Sequence, residues 1–191
     1  MDPLSASLLL ASRSPRRKQL LQQAGFNFRV EAQDVPEGFP DDMPVEQVAA
    51  FLAEKKAQGN RHLLRGEEVL LTADSVVILN DTIFGKPEDK PDATRILQQL
   101  SGQVHTVITG VCLLRGEEKR VFSGQSLVHM KPLSNQEIEY YIDQYQPFDK
   151  AGAYAIQEWI GLCKITQIEG TYANIMGLPV NLVYEHLEHF Q

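Results

Sequence analysis

Val69-Leu-Leu-Thr-Ala-Asp-Ser-Val-Val-Ile-Leu79 is the most apolar strand-like stretch of the chain. A carboxylate inside such a strand is costly to bury unless it is paired or bound to a metal. Period-two geometry puts Asp74, Val76 and Ile78 on one face and Ser75, Val77 and Leu79 on the other. Asn80-Asp81 reads as a two-residue turn and Thr82-Ile83-Phe84 as the returning strand. If Leu79 faces Thr82, counting back sets Ser75 opposite Lys86, so Gly85-Lys86-Pro87 returns beside Asp74-Ser75. A bulge would change which side chains share a face. A carboxylate near a lysine has two chemical uses beside a bound anion: it activates water as a general base, or it ligates a divalent cation on the anion's oxygens. The structural alternative is an ion pair between Asp74 and Lys86.

Upstream, Leu8 to Ala11 reads as a short buried strand. Ser14 and Pro15 have the form of an N-cap and first helical position, with the helix running to Ala24 and stopping at Gly25. Phe26 to Glu31 reads as a strand and Asp34 to Asp42 as a loop. Pro44 opens a second helix, apolar at Val45, Val48, Ala49 and Leu52, with Gly59 as its expected end. Lys56 continues that apolar face, where lysines usually reach out to solvent. Glu37, on the loop, would by itself pass for surface charge.

Downstream, a third helix is expected from Pro91 to Leu100. Two long strands follow, Gln103 to Leu114 and Arg120 to Met130, around a turn at Gly116. Ser134-Asn-Gln-Glu137 has the form of a capping box for a helix to Tyr145. Pro147 to Gly152 reads as a loop, Tyr154 to Gln157 and Leu162 to Ile168 as strands, and Pro179 opens a last helix. Helices and strands alternate early and hairpins fill the middle, which predicts an α/β chain with a mixed sheet. No linker separates two domains, so residues 1–191 are read as one domain.

The first helix carries Arg16, Arg17 and Lys18 in its first turn. Cations at that end work against the helix dipole by roughly 0.3–1 kcal/mol each. A bound anion reverses the argument, because backbone N–H groups, guanidinium groups and the Ser12 and Ser14 hydroxyls would converge on it. The alternative is a capped surface helix with solvated or carboxylate-paired arginines. The segment lacks the glycines and the Gly-Lys-Ser/Thr ending of a P-loop, and it is not a dinucleotide fingerprint.

The 191 residues carry a formal net charge of −7, which argues against a general nucleic-acid or anionic-membrane binder. An anionic substrate must then be caught by a local basic cluster. Cys112 and Cys163 lie in apolar runs and are expected to be buried, reduced thiols. Of the histidines, His186 and His189 sit close together without a third ligand, which gives no zinc site and reads as surface. No apolar run reaches the ~20 residues a transmembrane helix needs. Leu8 to Ala11 is too short for the core of a secretion signal, so the cytoplasm is expected.

Eight segments in order carry a more specific signal: Ala11-Ser-Arg-Ser-Pro-Arg-Arg17, Asp34-Val-Pro-Glu37, Glu54-Lys-Lys-Ala57, Ala73-Asp-Ser75, Gly85-Lys-Pro87, Leu100-Ser-Gly-Gln-Val-His105, Asp149-Lys-Ala-Gly-Ala-Tyr-Ala-Ile-Gln157 and Gly177-Leu-Pro-Val180. On these residues the sequence resembles the Maf family of nucleotide pyrophosphatases, from Leu8 to about Leu187. The resemblance implies a Maf/Ham1-like (ITPase-like) α/β fold, a mixed twisted sheet with flanking helices, and two lobes around a central cleft. It also implies cleavage of nucleoside triphosphates between the α- and β-phosphates with Mg²⁺ or Mn²⁺, and a homodimer.

Position by position, Asp74 matches the family's catalytic acceptor. Ser12, Arg17, Glu37, Lys56 and Lys86 match positions lining the phosphate and metal region, with Glu37 and Asp74 as metal candidates. Arg16, Ser75 and Gln157 match positions that distinguish substrate branches. The form around Gln157 looks like the branch acting on dTTP and UTP, rather than on 7-methyl-GTP, with a house-cleaning role against modified nucleotides. An amide both donates and accepts, so it is able to read a pyrimidine imide edge. Ala155 and Glu158 stand where the family often has Gly, and Glu158 sets a negative charge one residue beyond Gln157. Two other readings accompany this one: a nucleotide-sensing regulator of cell division, and a purine pyrophosphatase of the inosine triphosphate type.

Overall fold

A computed structural model describes residues 2–190. Its elements run β1 (Ser7–Leu10), α1 (Pro15–Gln23), β2 (Asn27–Val30), α2 (Val45–Asn60), β3 (Val69–Leu79), β4 (Thr82–Phe84), α3 (Lys90–Leu100), β5 (Val104–Arg115), β6 (Glu118–Met130), α4 (Asn135–Tyr145), α5 (Trp159–Cys163), β7 (Ile165–Glu169), α6 (Tyr172–Met176) and α7 (Val180–Glu188). The strands form one mixed sheet in the order β2-β1-β3-β5-β6-β7, with β4 also paired to β3. β1 is parallel to both neighbours, whereas β3–β4 and β6–β7 are antiparallel.

Much of this follows from local chemistry. The Ser14 hydroxyl caps α1 by accepting from Arg17 N, and Pro15 occupies the first turn. The capping box of α4 is complete, with both Ser134 and Glu137 closing it. Asn80 and Asp81 adopt φ of 49° and 58°, the left-handed pair that a tight hairpin turn needs. The register is the expected one, Leu79 opposite Thr82, but the ladder ends at Val77–Phe84. Beyond it the Gly85 carbonyl accepts from Gly152 N at 3.1 Å.

Four expectations need correction. Gly59 does not end α2, which continues to Asn60 and a further 3₁₀ turn. Its missing side chain makes room instead: a Cβ there would lie 2.5 Å from Val35 Cγ2. Tyr154 to Gln157 is a turn, not a strand, and Leu162 and Cys163 belong to α5 rather than to a strand. Short apolar runs carry no decisive period, and here Ile160 points inward while Leu162 is 78% exposed. For the same reason Cys163 is exposed, against the expectation of burial, whereas Cys112 is buried, and both are free thiols.

The residues fall into two compact units. One contains the chain up to Asp74, Thr109–Gly124 and the segment from Gly177; the other contains Ser75–Ile108 and Gln125–Met176. In the first unit, Leu9, Leu70, Ala53, Ala57 and Cys112 form an apolar cluster between strands and α2. In the second, α3 and α4 bury Ile96, Leu97, Leu100, Ile138, Tyr141 and Ile142 with Val107 and Val128.

The second unit also buries a histidine. His105 Nε2 is 2.7 Å from the Tyr154 hydroxyl, and its Nδ1 has no partner among the described residues. Burial, with a smaller push from His129, lowers its pKa from 6.5 to about 4. The folded state therefore holds it neutral while the unfolded chain binds a proton below pH 6.5. Stability from this group is complete above pH 6.5 and is lost as pH falls toward 4, by about 3 kcal/mol at most. Urea unfolding from pH 7 to 4 should show that slope, and His105→Asn should flatten it.

Candidate functional site

The start of α1 is built for positive charge. Ser12 Oγ accepts from Ser14 N at 3.2 Å and from Arg17 Nη1 at 3.2 Å. Arg17 Nε donates to the Gly177 carbonyl at 2.8 Å. The Gly177-Leu-Pro-Val segment, recognised from sequence only as a motif, thus fixes the arginine's orientation from the start of α7. Burial lowers the pKa of Arg17; the charge of Asp74 opposes that, Arg16 adds to it, and Glu37 opposes it. An arginine does not give up its proton in a protein, so the shift expresses an electrostatic cost that a bound anion would offset. Arg16 is half-buried and Arg13 is exposed and paired with Asp34 at 2.8 Å.

Lys56 does not reach to solvent. It is the centre of a carboxylate pair, with Nζ 2.6 Å from Asp74 Oδ1 and 2.7 Å from Glu37 Oε1. Its side chain and that of Asp74 are only 17% and 15% exposed, while Glu37 is 49% exposed. The costly carboxylate in the apolar strand is therefore paired, and α2 supplies the partner. Glu37 is no casual surface charge, because it shares that ammonium.

The loop that presents Glu37 is strapped along the last turns of α2. Asn60, 1% exposed, accepts from Gln33 N at 2.7 Å and donates to the Gln33 carbonyl at 3.3 Å. Val35 fills the space over Gly59, Lys56 holds Glu37, and Lys55 Nζ donates to the Gly38 carbonyl at 2.7 Å. Sequence reasoning missed Asn60 and the second role of Gly59. The available signal was a polar side chain one helical turn beyond Lys56, on the same helix face.

Ser75, Lys86 and Gln157 belong to the second unit. Ser75 is half-buried and Lys86 is exposed. Gln157 lies in a turn in which Glu158 N donates to the Ala155 carbonyl at 3.2 Å. Its Oε1 is buried and has no hydrogen-bond partner among the described residues. A buried acceptor without a donor is costly, and a ligand N–H is one way to satisfy it. Among the described residues no group of three or more His, Cys, Asp or Glu could hold a metal; Glu37 and Asp74 are the carboxylates that Lys56 brings together. No helix among the described residues is long and apolar enough to cross a membrane.

The family model for Maf-like protein matches residues 7–190. A dTTP/UTP pyrophosphatase of Porphyromonas gingivalis is 46% identical over 186 residues, 96% of this chain and 94% of that protein. One from Bacteroides thetaiotaomicron is 42% identical over 182 residues, covering 95% and 94%. One from Cytophaga hutchinsonii is 41% identical over 187 residues, covering 96% and 84%. Among solved structures, the Staphylococcus aureus Ham1 protein superposes with a TM-score of 0.54 at 13% identity, over 96% of this chain and 98% of that one, which speaks for the fold alone. With a family match over nearly its whole length and relatives above 40% identity, this chain belongs to the Maf family.

Proposed function

We propose that the chain hydrolyses nucleoside triphosphates, dTTP and UTP foremost, to the nucleoside monophosphate and pyrophosphate. The observation that carries this reading is the Asp74–Lys56–Glu37 constellation in the same unit as Arg17, whose charge interacts with both carboxylates. The names of the curated relatives support the substrates.

In this mechanism Arg17, with Ser12 and the N–H groups at the start of α1, neutralises phosphate charge. Lys56 and Lys86 add cations, and pyrophosphate leaves with its developing charge held. Lys56 engages Oδ1 of Asp74. The second oxygen, Oδ2, takes the proton of the attacking water. Arg16, Ser75 and Gln157 are assigned to substrate choice. The unpartnered Gln157 Oε1 meets the N3–H that uracil and thymine carry.

The donor set fits a divalent cation. Magnesium takes oxygen ligands and is commonly held by one or two carboxylates together with substrate phosphates. Glu37, the more exposed of the pair, would hold Mg²⁺ or Mn²⁺; a tight share from Asp74 would compete with its work as base. The cation would polarise the α-phosphate and screen its charge. Cytoplasmic residence, homodimeric assembly and a role against modified nucleotides accompany this reading as parts of the proposal.

The test is a panel of nucleoside triphosphates with Mg²⁺ or Mn²⁺, read as pyrophosphate release. Turnover of dTTP and UTP above all others is the expected result. Orthophosphate as the product would overturn the cleavage site, and preference for ITP would move the chain to the purine reading. No turnover with retained nucleotide binding would favour the cell-division regulator.

A further inference from the structure

Glu158 is the residue that sits least comfortably beside a base-reading amide, and the second unit gives it a definite task. Its carboxylate accepts from the Tyr141 hydroxyl. That same hydroxyl accepts from Ala155 N at 3.0 Å. One phenol on α4 therefore grips both ends of the turn 155–158, which is also closed by the backbone bond from Glu158 N to the Ala155 carbonyl at 3.2 Å. Gln157 is the third residue of that turn. Tyr141 is fully buried among α3 and α4, so its hydroxyl is a fixed point.

Two further groups complete the mount. Lys150 is 7% exposed; its Nζ lies 2.7 Å from Asp149 Oδ1 and 3.5 Å from Glu158 Oε1. The negative charge of Glu158 is thus turned toward Lys150 and Tyr141. On the other side, α5 lies hard against the turn: a Cβ on Gly161 would fall 1.7 Å from the Ile156 carbonyl oxygen. Turn and helix leave Gln157 little freedom, which is what an amide with an unsatisfied, buried oxygen requires if it is to select a donor.

We infer that Tyr141, Glu158 and Lys150 form a positioning clamp that holds the Gln157 amide ready for an N–H on the substrate base, which makes them determinants of base choice without touching the substrate. This inference rests on the proposed pyrimidine triphosphate activity.

The experiment compares UTP with N3-methyl-UTP, which lacks the N–H, as substrates of the full chain. The wild-type protein is expected to prefer UTP by about tenfold or more in kcat/KM. Glu158→Ala and Tyr141→Phe should reduce that preference to within about threefold through a raised KM for UTP, with kcat changed by no more than about twofold. Glu158→Gln keeps an acceptor for the Tyr141 hydroxyl and should retain most of the preference. A wild-type preference that survives in both disrupting variants overturns the clamp and leaves the proposed activity standing. So does an equal fall in kcat on both substrates together with a lower unfolding midpoint, which is the mark of a merely structural role. No wild-type preference removes Gln157 as the base reader and the clamp with it, and no turnover of UTP sinks the proposed function as well.

Discussion

Asp74→Asn is expected to lower turnover of UTP and dTTP by roughly 10²–10⁴-fold, the usual range for loss of a general base. Asparagine keeps the shape of the side chain and an oxygen for the Lys56 Nζ that now sits 2.6 Å from Oδ1. It does not accept a proton from water. Nucleotide affinity should fall far less, because Arg17 and Lys56 remain and one negative charge near the triphosphate is gone. Stability should also be largely kept, since Lys56 retains Glu37 at 2.7 Å. The measurement is single-turnover pyrophosphate release, with calorimetric titration of nucleotide at graded Mg²⁺. Slow chemistry with intact, Mg²⁺-dependent binding assigns Asp74 to the proton. Loss of the Mg²⁺ dependence would make it chiefly a metal ligand. Unchanged turnover would remove it from the mechanism.

The sequence carried the parts of this arrangement unevenly. Local signals were plain: Ser14 with Pro15, the box from Ser134 to Glu137, and Asn80-Asp81 each act within a few residues, and each appears where expected. Asp74 stood out because a charge in an apolar strand needs an explanation. Its partner was not legible. Lys56 and Asp74 are 18 residues apart, and only the packing of α2 on the strands brings them to 2.6 Å. Hairpin arithmetic pointed to Lys86, since it assumes that a ladder continues; this one ends at Val77–Phe84. The role of Tyr141 was hidden for another reason. At helical spacing from Ile138 it reads as one more apolar core position, and nothing in the pattern says that its hydroxyl grips a turn 14 and 17 residues away. Glu158, which looked like a departure, is the other half of that grip. Arg16 and Gln157 owe their assignment to the family resemblance, and physics adds only the unpartnered Oε1.

Gly110→Ala should be strongly destabilising to the first unit. Gly110 lies in β5, directly beneath α2, and a Cβ there would stand 2.3 Å from Ala49 C, 2.3 Å from Ala50 N and 2.4 Å from Ala49 O. These are backbone atoms of a helix, so no rotamer change relieves the overlap. The helix itself must move away from the strand. Ala49 and Ala53 are fully buried against the sheet, and the Thr72 hydroxyl donates to the Ala53 carbonyl at 2.6 Å, so that movement opens packing along the whole contact. Overpacking a tight core costs about 1–3 kcal/mol and occasionally more, and a clash with immobile backbone belongs at the upper end. The displaced helix also carries Lys56 and Asn60, which hold Asp74 and the Glu37 loop. Urea unfolding of Gly110→Ala should therefore show a loss of about 3 kcal/mol, accompanied by a fall in kcat of the surviving folded protein. Gly38→Ala is the matched control, because a Cβ at Gly38 meets nothing within 4 Å; it should shift stability by no more than about 0.5 kcal/mol. Equal midpoints for the two variants would mean that α2 does not rest on β5 at this separation. Lost stability with unchanged kcat would mean that Lys56 keeps its place by the carboxylates alone, independent of how the helix is seated.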